Sequence, residues 1–272
     1  MTRAVMAIDE RLRTVALGAQ DYATLALRAT RGIVTRPFYW RDTFEQMDRI
    51  GVGSLPIVLL TGIFTGMVLA LQSSVELVRF GANIYLGNLV AASMVRELGP
   101  VLGALAVAGR AGSGIAAELG AMRVTEQIDA METMGTDPIR KLVTPRLVAG
   151  LVMLPMLTIV MDVIGILGGL LVSVMRVQLG ADVYLRGVWS AFAVSGITFG
   201  IVPRDFVSGL LKPIVFGGII TLTGSYYGLR AGGGTEGVGR ATTRAVVASS
   251  MAIFASDYFI TQLLLVLLPP PR

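Results

Sequence analysis

The chain has 272 residues, of which 54% are hydrophobic and only 15% are charged, and its formal net charge is +5 at pH 7. Soluble domains usually carry about 25% charged residues, so this composition excludes an ordinary soluble protein, and the modest charge does not indicate nucleic-acid binding. The sequence contains neither His nor Cys, which excludes histidine acid–base catalysis, thiol chemistry and the usual zinc ligands.

The N-terminal region, residues 1–49, is predicted to lie on the cytoplasmic side as an interfacial helix. It is rich in Arg, and apolar residues such as Leu25, Leu27 and Ile33 are interspersed with Arg and Thr. This pattern lacks the long apolar core of a secretory signal and favours an amphipathic helix on the membrane surface. A plain solvated extension is the alternative.

Residues 50–272 are predicted to form a single transmembrane domain. Residues 50–75 contain no charged side chain, and a helix needs about 20 mostly apolar residues to cross a bilayer. Similar stretches predict spans at about 89–119, 147–175 and 245–268. The glycine pairs that would let these helices approach closely are Gly62/Gly66, Gly99/Gly103 and Gly165/Gly169.

The region 176–230 allows two interpretations. Residues 187–203 and 213–229 are uncharged stretches of 17 residues each, so either both cross the membrane or one lies on the outer surface. The excess of Arg and Lys in the inner segments places the N-terminus in the cytoplasm with five spans and equally with six. The fold class is therefore an all-α integral membrane protein with five transmembrane helices, or six as the alternative.

A glycine-rich hydrophilic loop is predicted over residues 230–244. Its Gly232, Gly234 and Gly237 match the spacing G-x-G-x-x-G. The dinucleotide-binding fingerprint requires a preceding strand, whereas here the motif follows an apolar helix. A flexible cytoplasmic turn is the better interpretation.

Charged side chains inside apolar spans are costly in lipid and usually have a function. Arg96 and Glu97 are neighbours, so they point about 100° apart on a helix and need other partners. They are interpreted as the polar rim of an apolar pocket near the outer leaflet, with snorkelling interfacial charges as the alternative. A structural ion-pair network and a transport role remain equally open for Arg110 and Glu118, and Lys212 and Asp257 are interpreted as buried and paired.

The segment 125–135 predicts a short cytoplasmic helix between the second and third spans, with Thr125 as N-cap and Gly135 as C-cap. Such a helix usually packs on its own protein. Its short length and its position between two spans instead favour insertion into a cytoplasmic partner. Its apolar stripe consists of Ile128, Met131 and Met134, and its acidic row of Glu126, Asp129 and Glu132.

Two long blocks closely resemble the signature of the MlaE/YrbE family, the permease subunits of ABC transporters that work with MCE proteins. The first is VRELGPVLGALAVAGRAGSGIAAELGAMRVTEQIDAMETMGTDPIRKLVTPR, and the second is GLLKPIVFGGIITLTGSYYGLRAGGGTEGVGRATTRAVVASS, followed by DYFITQLLL. The resemblance covers residues 41–268, nearly the whole chain.

The resemblance implies a homodimeric, non-catalytic permease in the bacterial inner membrane, with an interfacial N-terminal helix and five spans. The fourth span would be about 205–229, with 187–203 largely at the outer face, although this chain is unusually apolar there. ATP would be hydrolysed by separate ATPase subunits on the cytoplasmic side, and this chain itself would bind no cofactor. An MCE-domain protein would sit on the periplasmic side, and the substrate would be phospholipid or a related lipid.

The resemblance also implies two sites. Residues Glu126–Gly135 would be the coupling helix that docks on the ATPase. The lipid pocket between two protomers would be lined by Arg96, Glu97, Leu98, Leu69, Leu77 and Phe80.

Two other functions remain open from the residues alone. One is a secondary transporter that uses Arg96, Glu97, Asp162 and Asp257 as an ion or proton relay. The other is a membrane scaffold or channel without energy coupling. The coupling-type helix favours the ABC permease over both.

Overall fold

The protein is a bundle of long helices, as its apolar composition predicts, and the computed structural model describes residues 2–194, 197–198 and 202–267. Within these residues the α-helices are α1 Thr2–Val34, α2 Trp40–Ile50, α3 Leu55–Arg79, α4 Leu86–Ser93, α5 Gly99–Val107, α6 Ser113–Val124, α7 Gln127–Thr133, α8 Thr144–Met175, α9 Ala181–Val194, α10 Arg204–Leu229 and α11 Gly234–Leu267. Two short strands, β1 Ile197–Thr198 and β2 Val202–Pro203, pair antiparallel.

Several of these helices are joined into longer ones by short 3₁₀ or π-helical segments. The 3₁₀ turn Val52–Ser54 joins α2 to α3, and Asn83–Tyr85 precedes α4. Wider π-helical segments lie at Met94–Leu98, Ala108–Gly112 and Ile139–Val143. Because π turns inside α-helices occur frequently at functional sites, the first of them, which contains Arg96 and Glu97, is of particular interest.

Four helical stretches of the described chain are long and apolar enough to cross a membrane, and they confirm a multi-pass membrane protein. They are Trp40–Arg79, Asn83–Val124, Ile139–Met175 and Gly234–Leu267. Each contains a predicted span and extends beyond it, because apolar content marks only the part of a helix that suits hydrocarbon. Leu268, the end of the last predicted span, lies outside the described residues.

Helix α10 matches the bounds predicted for the fourth span. Its 26 residues extend over about 39 Å, longer than the ~30 Å hydrocarbon core of a bilayer. It contacts α5, α6, α8 and α11, and Phe216 and Ile220 on it are buried. It is therefore an interior helix of the bundle.

The segment between α8 and α10 does not support a sixth crossing helix. Helix α9 has 14 residues and extends over about 21 Å, which is too short for the hydrocarbon core. The described part of 187–203 divides into the end of α9 and the strands β1 and β2, so it is not one continuous helix.

The glycine-rich segment 230–244 is mostly helical, so the predicted loop is wrong for most of its length. Gly233 and Gly234 adopt positive φ values of +83° and +71° and confine the turn to a few residues. Glu236 then lies in the first turn of α11, where a negative charge is favourable, and pairs with Arg240 at 2.5 Å. Because of these local interactions, α11 begins at Gly234, shortly after α10 ends at Leu229.

The N-terminal region contains two helices, α1 and α2, rather than one. Leu25 and Ala29 of α1 are buried against Val143 and Leu147 at the start of the third span. The hydroxyl groups of Tyr22 and Thr223 lie 3.2 Å apart, and burial raises the pKa of Tyr22, so its proton is retained at neutral pH. Helix α1 thus docks on the ends of α8 and α10.

Glycines set the closest helix contacts in the bundle. A Cβ atom on Gly66 of α3 would overlap the carbonyl oxygen of Gly165 on α8, and one on Gly217 of α10 would overlap that of Gly150. The predicted close approach of the Gly62/Gly66 motif is therefore present between α3 and α8. Gly169 instead faces the hydroxyl of Tyr184 on α9.

Candidate functional site

A buried lysine joins three helices at the depth of the first π segment. Lys212 of α10 has only 2% of its side chain exposed, and its Nζ lies 2.6 Å from Oε2 of Glu97 and 3.0 Å from Oδ1 of Asp257. We call Glu97, Lys212 and Asp257 the ion-pair triad. The predicted pairing of Lys212 with Asp257 is confirmed, and Glu97 is a further partner.

The π segment Met94–Leu98 determines how Glu97 reaches the lysine. Nζ of Lys212 donates a hydrogen bond of 3.1 Å to the carbonyl oxygen of Arg96, so backbone and side chain of adjacent residues both bind it. Oγ1 of Thr261 on α11 lies 3.5 Å from Oε1 of Glu97 and donates to it. The spans thus meet at a polar cross-link within apolar surroundings.

The triad is not closed on all sides. The side chains of Glu97 and Asp257 are 45% and 20% exposed, whereas Lys212 is enclosed. A carboxylate that is half exposed at membrane depth can meet a polar group of a ligand or of a second protomer. The triad therefore combines a structural cross-link with an accessible carboxylate.

The six residues predicted to line a lipid pocket differ in their surroundings. Arg96 is exposed, and Phe80 is 81% exposed. Leu69, Leu77 and Leu98 are partly buried and pack against the main apolar core. Of the six, the structure places Glu97 in the triad.

A second ionic network lies where the spans approach the N-terminal helices. Glu118 of α6 lies 2.9 Å from Nη1 of Arg49 and 2.8 Å from Nη2 of Arg146. Nη1 of Arg110 donates to the carbonyl oxygen of Arg49 at 2.8 Å and to Oγ of Ser54 at 3.1 Å. Glu118 and Arg110 therefore tie α2, α6 and α8 together, which favours the structural interpretation of these two charges.

Replacing Glu118 with Gln is expected to destabilise the protein by about 1–3 kcal/mol, because Arg146, with 4% of its side chain exposed, would lose its carboxylate. The matched control is Glu45→Gln, which removes only the exposed pair of Glu45 with Arg49 and should cost under about 1 kcal/mol. Thermal unfolding of the purified variants measures both. Equal losses would contradict this role of Glu118.

The short acidic helix is present as α7, but its start differs from the prediction. Thr125 ends α6, and its Oγ1 donates to the carbonyl oxygen of Ala121 at 2.9 Å. The residue before α7 is Glu126, which adopts the left-handed conformation with φ 60°. Thr125 is therefore not the N-cap, because its hydroxyl is used by the preceding helix.

Gly135 helps to end α7 as predicted, but the C-cap is Met134, and Gly135 lies one residue beyond it. Its φ is +75°, its N–H donates to the carbonyl of Glu132 at 3.0 Å, and the N–H of Thr136 donates to that of Met131 at 2.9 Å. This is the pair of bonds of a Schellman motif. The C-terminal end of α7 is therefore fixed by backbone hydrogen bonds, and α7 is a separate short helix between the second and third spans.

The faces of α7 divide between its own protein and the solvent. Ile128 is 3% exposed and belongs to the main core, and Met131 packs against that core. Met134 is 73% exposed, and Asp129 forms an ion pair with Arg123. The other exposed members of the predicted coupling set are Glu126, Glu132 and Gly135. Two members of the apolar stripe, Ile128 and Met131, therefore anchor the helix, whereas Met134 and the acidic row face outward.

Sequence reasoning missed three partners in these sites. Thr261 and Arg146 gave no signal, because Thr is common in helices and Arg146 stands at the edge of a span. Arg49 was one Arg among several in the N-terminal region. Within the described residues no cluster of Asp or Glu is placed to hold a metal ion.

Comparison with known proteins gives consistent matches. The family profile described as Permease MlaE matches residues 43–263, which include the triad and α7. A "Probable ABC transporter permease protein" of Rickettsia bellii is 43% identical over 256 residues, covering 94% of this chain and 95% of its own length. A protein of the same description from Synechocystis is 41% identical, covering 82% of each chain.

A further relative has a more specific description. The "Intermembrane phospholipid transport system permease protein MlaE" of Haemophilus influenzae is 40% identical over 220 residues, covering 81% of each chain.

Proposed function

The chain belongs to the MlaE permease family, and on this premise we propose that it is the membrane subunit of an ABC transporter that moves phospholipid or a related lipid between the inner membrane and the cell envelope. ATP is hydrolysed by separate cytoplasmic subunits, and an MCE-domain protein binds on the periplasmic side. The observation that carries the proposal is α7, a short helix between two membrane spans whose acidic row faces outward and whose C-terminal end is fixed by backbone hydrogen bonds.

The proposed topology has five spans in a bacterial inner membrane and a cytoplasmic N-terminus. Helix α10 is the fifth crossing element in addition to the four apolar stretches, and α9 lies at the outer face. Helices α6 and α8 then meet α7 on the cytoplasmic side. Helix α1, docked on the same ends of α8 and α10, is the interfacial helix.

Helix α7 is proposed as the coupling element. Its acidic row and Met134 face away from the protein and are available to an ATPase groove, while Ile128 transmits any displacement to the core. Helix α6 is joined to α7 through Thr125 and Glu126 only, and Glu118 on α6 is bound to Arg49 of α2 and Arg146 of α8. A movement of α7 is thereby linked to three spans.

The lipid site is proposed at the interface of two protomers, beside the triad. A phospholipid needs an apolar slot for its acyl chains and a few polar groups for its headgroup. Leu69, Leu77, Leu98 and exposed Phe80 supply apolar surface, and Arg96 with half-exposed Glu97 supplies polar groups. Closure of the ATPase pair would press on α7 and narrow this slot, as a rigid-body switch.

Reconstitution of the chain with its ATPase and MCE partners in liposomes tests the function, with transfer of a fluorescent phospholipid as the readout. Transfer is expected to require ATP. Transfer driven by an ion gradient in a preparation free of ATPase would contradict the proposal and favour an ion-coupled secondary transporter.

The coupling role predicts a selective defect for Glu132→Ala/Met134→Ala. Both residues are exposed, so the fold should be kept while the affinity for the ATPase falls about tenfold or more, as one or two interface anchors are lost. The matched control is Glu236→Ala, an exposed acidic residue at the start of another helix. Native mass spectrometry of the complex measures occupancy by the ATPase, and full occupancy in the double variant would contradict the role.

A further inference from the structure

A cavity of about 310 Å³ lies beside the first π segment. Helices α8, α9 and α10 surround it, and Val95 of the first π segment forms part of its wall. Apart from Thr158, Asp162 and the indole N–H of Trp189, the described side chains that line it are apolar. Oγ1 of Thr158 already donates to the carbonyl oxygen of Leu154 at 3.0 Å, so Asp162 is the acceptor available among the described residues of this wall.

The cavity opens toward the bilayer. Ile159 and Val163 of α8 line it and are 39% and 52% exposed, and Trp189 of α9 is 74% exposed. These α8 residues belong to a stretch long and apolar enough to cross the membrane. Molecules that reach the cavity through this face therefore come from among the lipids.

Asp162 is buried without a partner among the described residues. It is 8% exposed, and its Oδ1 has no hydrogen bond in that part of the chain. A Cβ atom on Gly99 would overlap this oxygen, so a glycine at 99 leaves room for the carboxyl group. Oδ1 is thus enclosed against α5, so the oxygen of Asp162 that a ligand in the cavity can reach is Oδ2, for which the described residues provide no donor. A buried carboxyl group with few hydrogen bonds is unfavourable because of its desolvation cost, and a ligand with a donor would relieve part of that cost.

The chemistry of the wall selects among ligands. A phosphate headgroup is disfavoured, because the described lining has no cation to bind it and Asp162 is itself acidic. A plain acyl chain is also disfavoured, because it has no group that can hydrogen-bond to the carboxyl of Asp162. An ammonium group suits only the ionised carboxyl. A hydroxyl group donates and accepts, so it binds the carboxyl in either protonation state, and its apolar body fills the rest of the cavity.

We propose that this cavity binds a neutral membrane amphiphile with a free hydroxyl group, whose hydroxyl hydrogen-bonds to Asp162 and whose apolar body lies against α8, α9 and α10. The site uses none of the residues of the proposed phospholipid slot. It is thus a second lipid site on the flank of each protomer.

Photolabelling of the assembled complex in nanodiscs tests the proposal, with hexadecanol carrying a diazirine as the probe. The expected result is labelling of peptides from α8 and α9, which unlabelled hexadecanol suppresses and its methyl ether does not. Asp162→Leu should lower labelling about tenfold, as one hydrogen bond is lost, and Asp162→Asn should keep most of it.

Two further variants separate this site from the others. Val163→Trp fills the cavity while keeping the carboxyl, and it should abolish labelling. Glu97→Gln should leave labelling intact while it impairs phospholipid transfer, so the two sites fail independently. Competition by the methyl ether equal to that of hexadecanol, or unchanged labelling in Asp162→Leu, would overturn the proposal, and stronger competition by hexadecylamine would replace it with a cation site.

Discussion

Replacing Lys212 with Met should abolish lipid transfer and destabilise the protein by about 3–5 kcal/mol, the usual cost of removing one partner from a buried ion pair. Lys212 is enclosed, and both Glu97 and Asp257 bind its Nζ. Without it, two carboxylates share an apolar region with no cation between them. Thermal unfolding in detergent and the liposome transfer assay measure the two effects.

The control for Lys212→Met is the neutral triple variant Lys212→Met/Glu97→Gln/Asp257→Asn. It removes the unpaired charges together with the lysine, so the thermal stability should return toward that of the wild type. Lipid transfer should stay low, because the accessible carboxylate is gone. Recovery of transfer as well would show that the triad serves only stability. A stable Lys212→Met variant would contradict the buried ion pair itself.

The triad shows what a sequence does and does not specify about such a site. Glu97 and Lys212 stood out because charges inside apolar spans are costly. Their pairing is set by the packing of α10 against the first π segment, across 115 positions of sequence, and no local pattern encodes it. The π segment itself is also a product of packing, because its residues have ordinary helical propensities.

Hydrophobicity alone did not locate the ends of the helices. The uncharged stretch begins at residue 213, whereas α10 starts at Arg204 and includes Asp205 and Lys212. The family resemblance gave this start to within a residue. Helix α11 starts at Gly234, well before its apolar part, since a pair of glycines with positive φ and the Glu236–Arg240 pair begin it. Thr125 is a second example of a helix end that the sequence does not fix. Its hydroxyl could accept a hydrogen bond at the start of α7 or donate one at the end of α6, and only packing decides between them.

The cavity beside Asp162 could not have been located from the sequence. Asp162 was visible as one charge in an apolar span, and Gly99 as part of a glycine pair. That this glycine leaves room for that carboxyl follows from the crossing of two helices. Small residues therefore have two roles here, allowing close contact in some places and accommodating a polar group in another.

The contact between α3 and α8 leads to the second large effect, which concerns Gly66. Gly66→Ala is expected to destabilise the protein by about 1–3 kcal/mol or more, because the new methyl group would overlap the backbone of Gly165. A backbone carbonyl cannot move aside as a flexible side chain can, so the two helices must separate. This would also displace Met94 of the first π segment, which packs against Gly165.

Gly114→Ala is the matched control, because it also adds one methyl group to a membrane helix. No atom of the described residues lies within 4 Å of the position its Cβ would take. Alanine is favoured over glycine inside a helix by about 0.5–1 kcal/mol, so this variant should unfold at the same or a higher temperature than the wild type. Equal losses at the two positions would mean that a contact common to both, such as the dimer interface, and not the approach of α3 to α8, governs them. A loss confined to Gly66 would establish that close backbone packing joins the first and third spans, which the transmission of force from α7 through Glu118 requires.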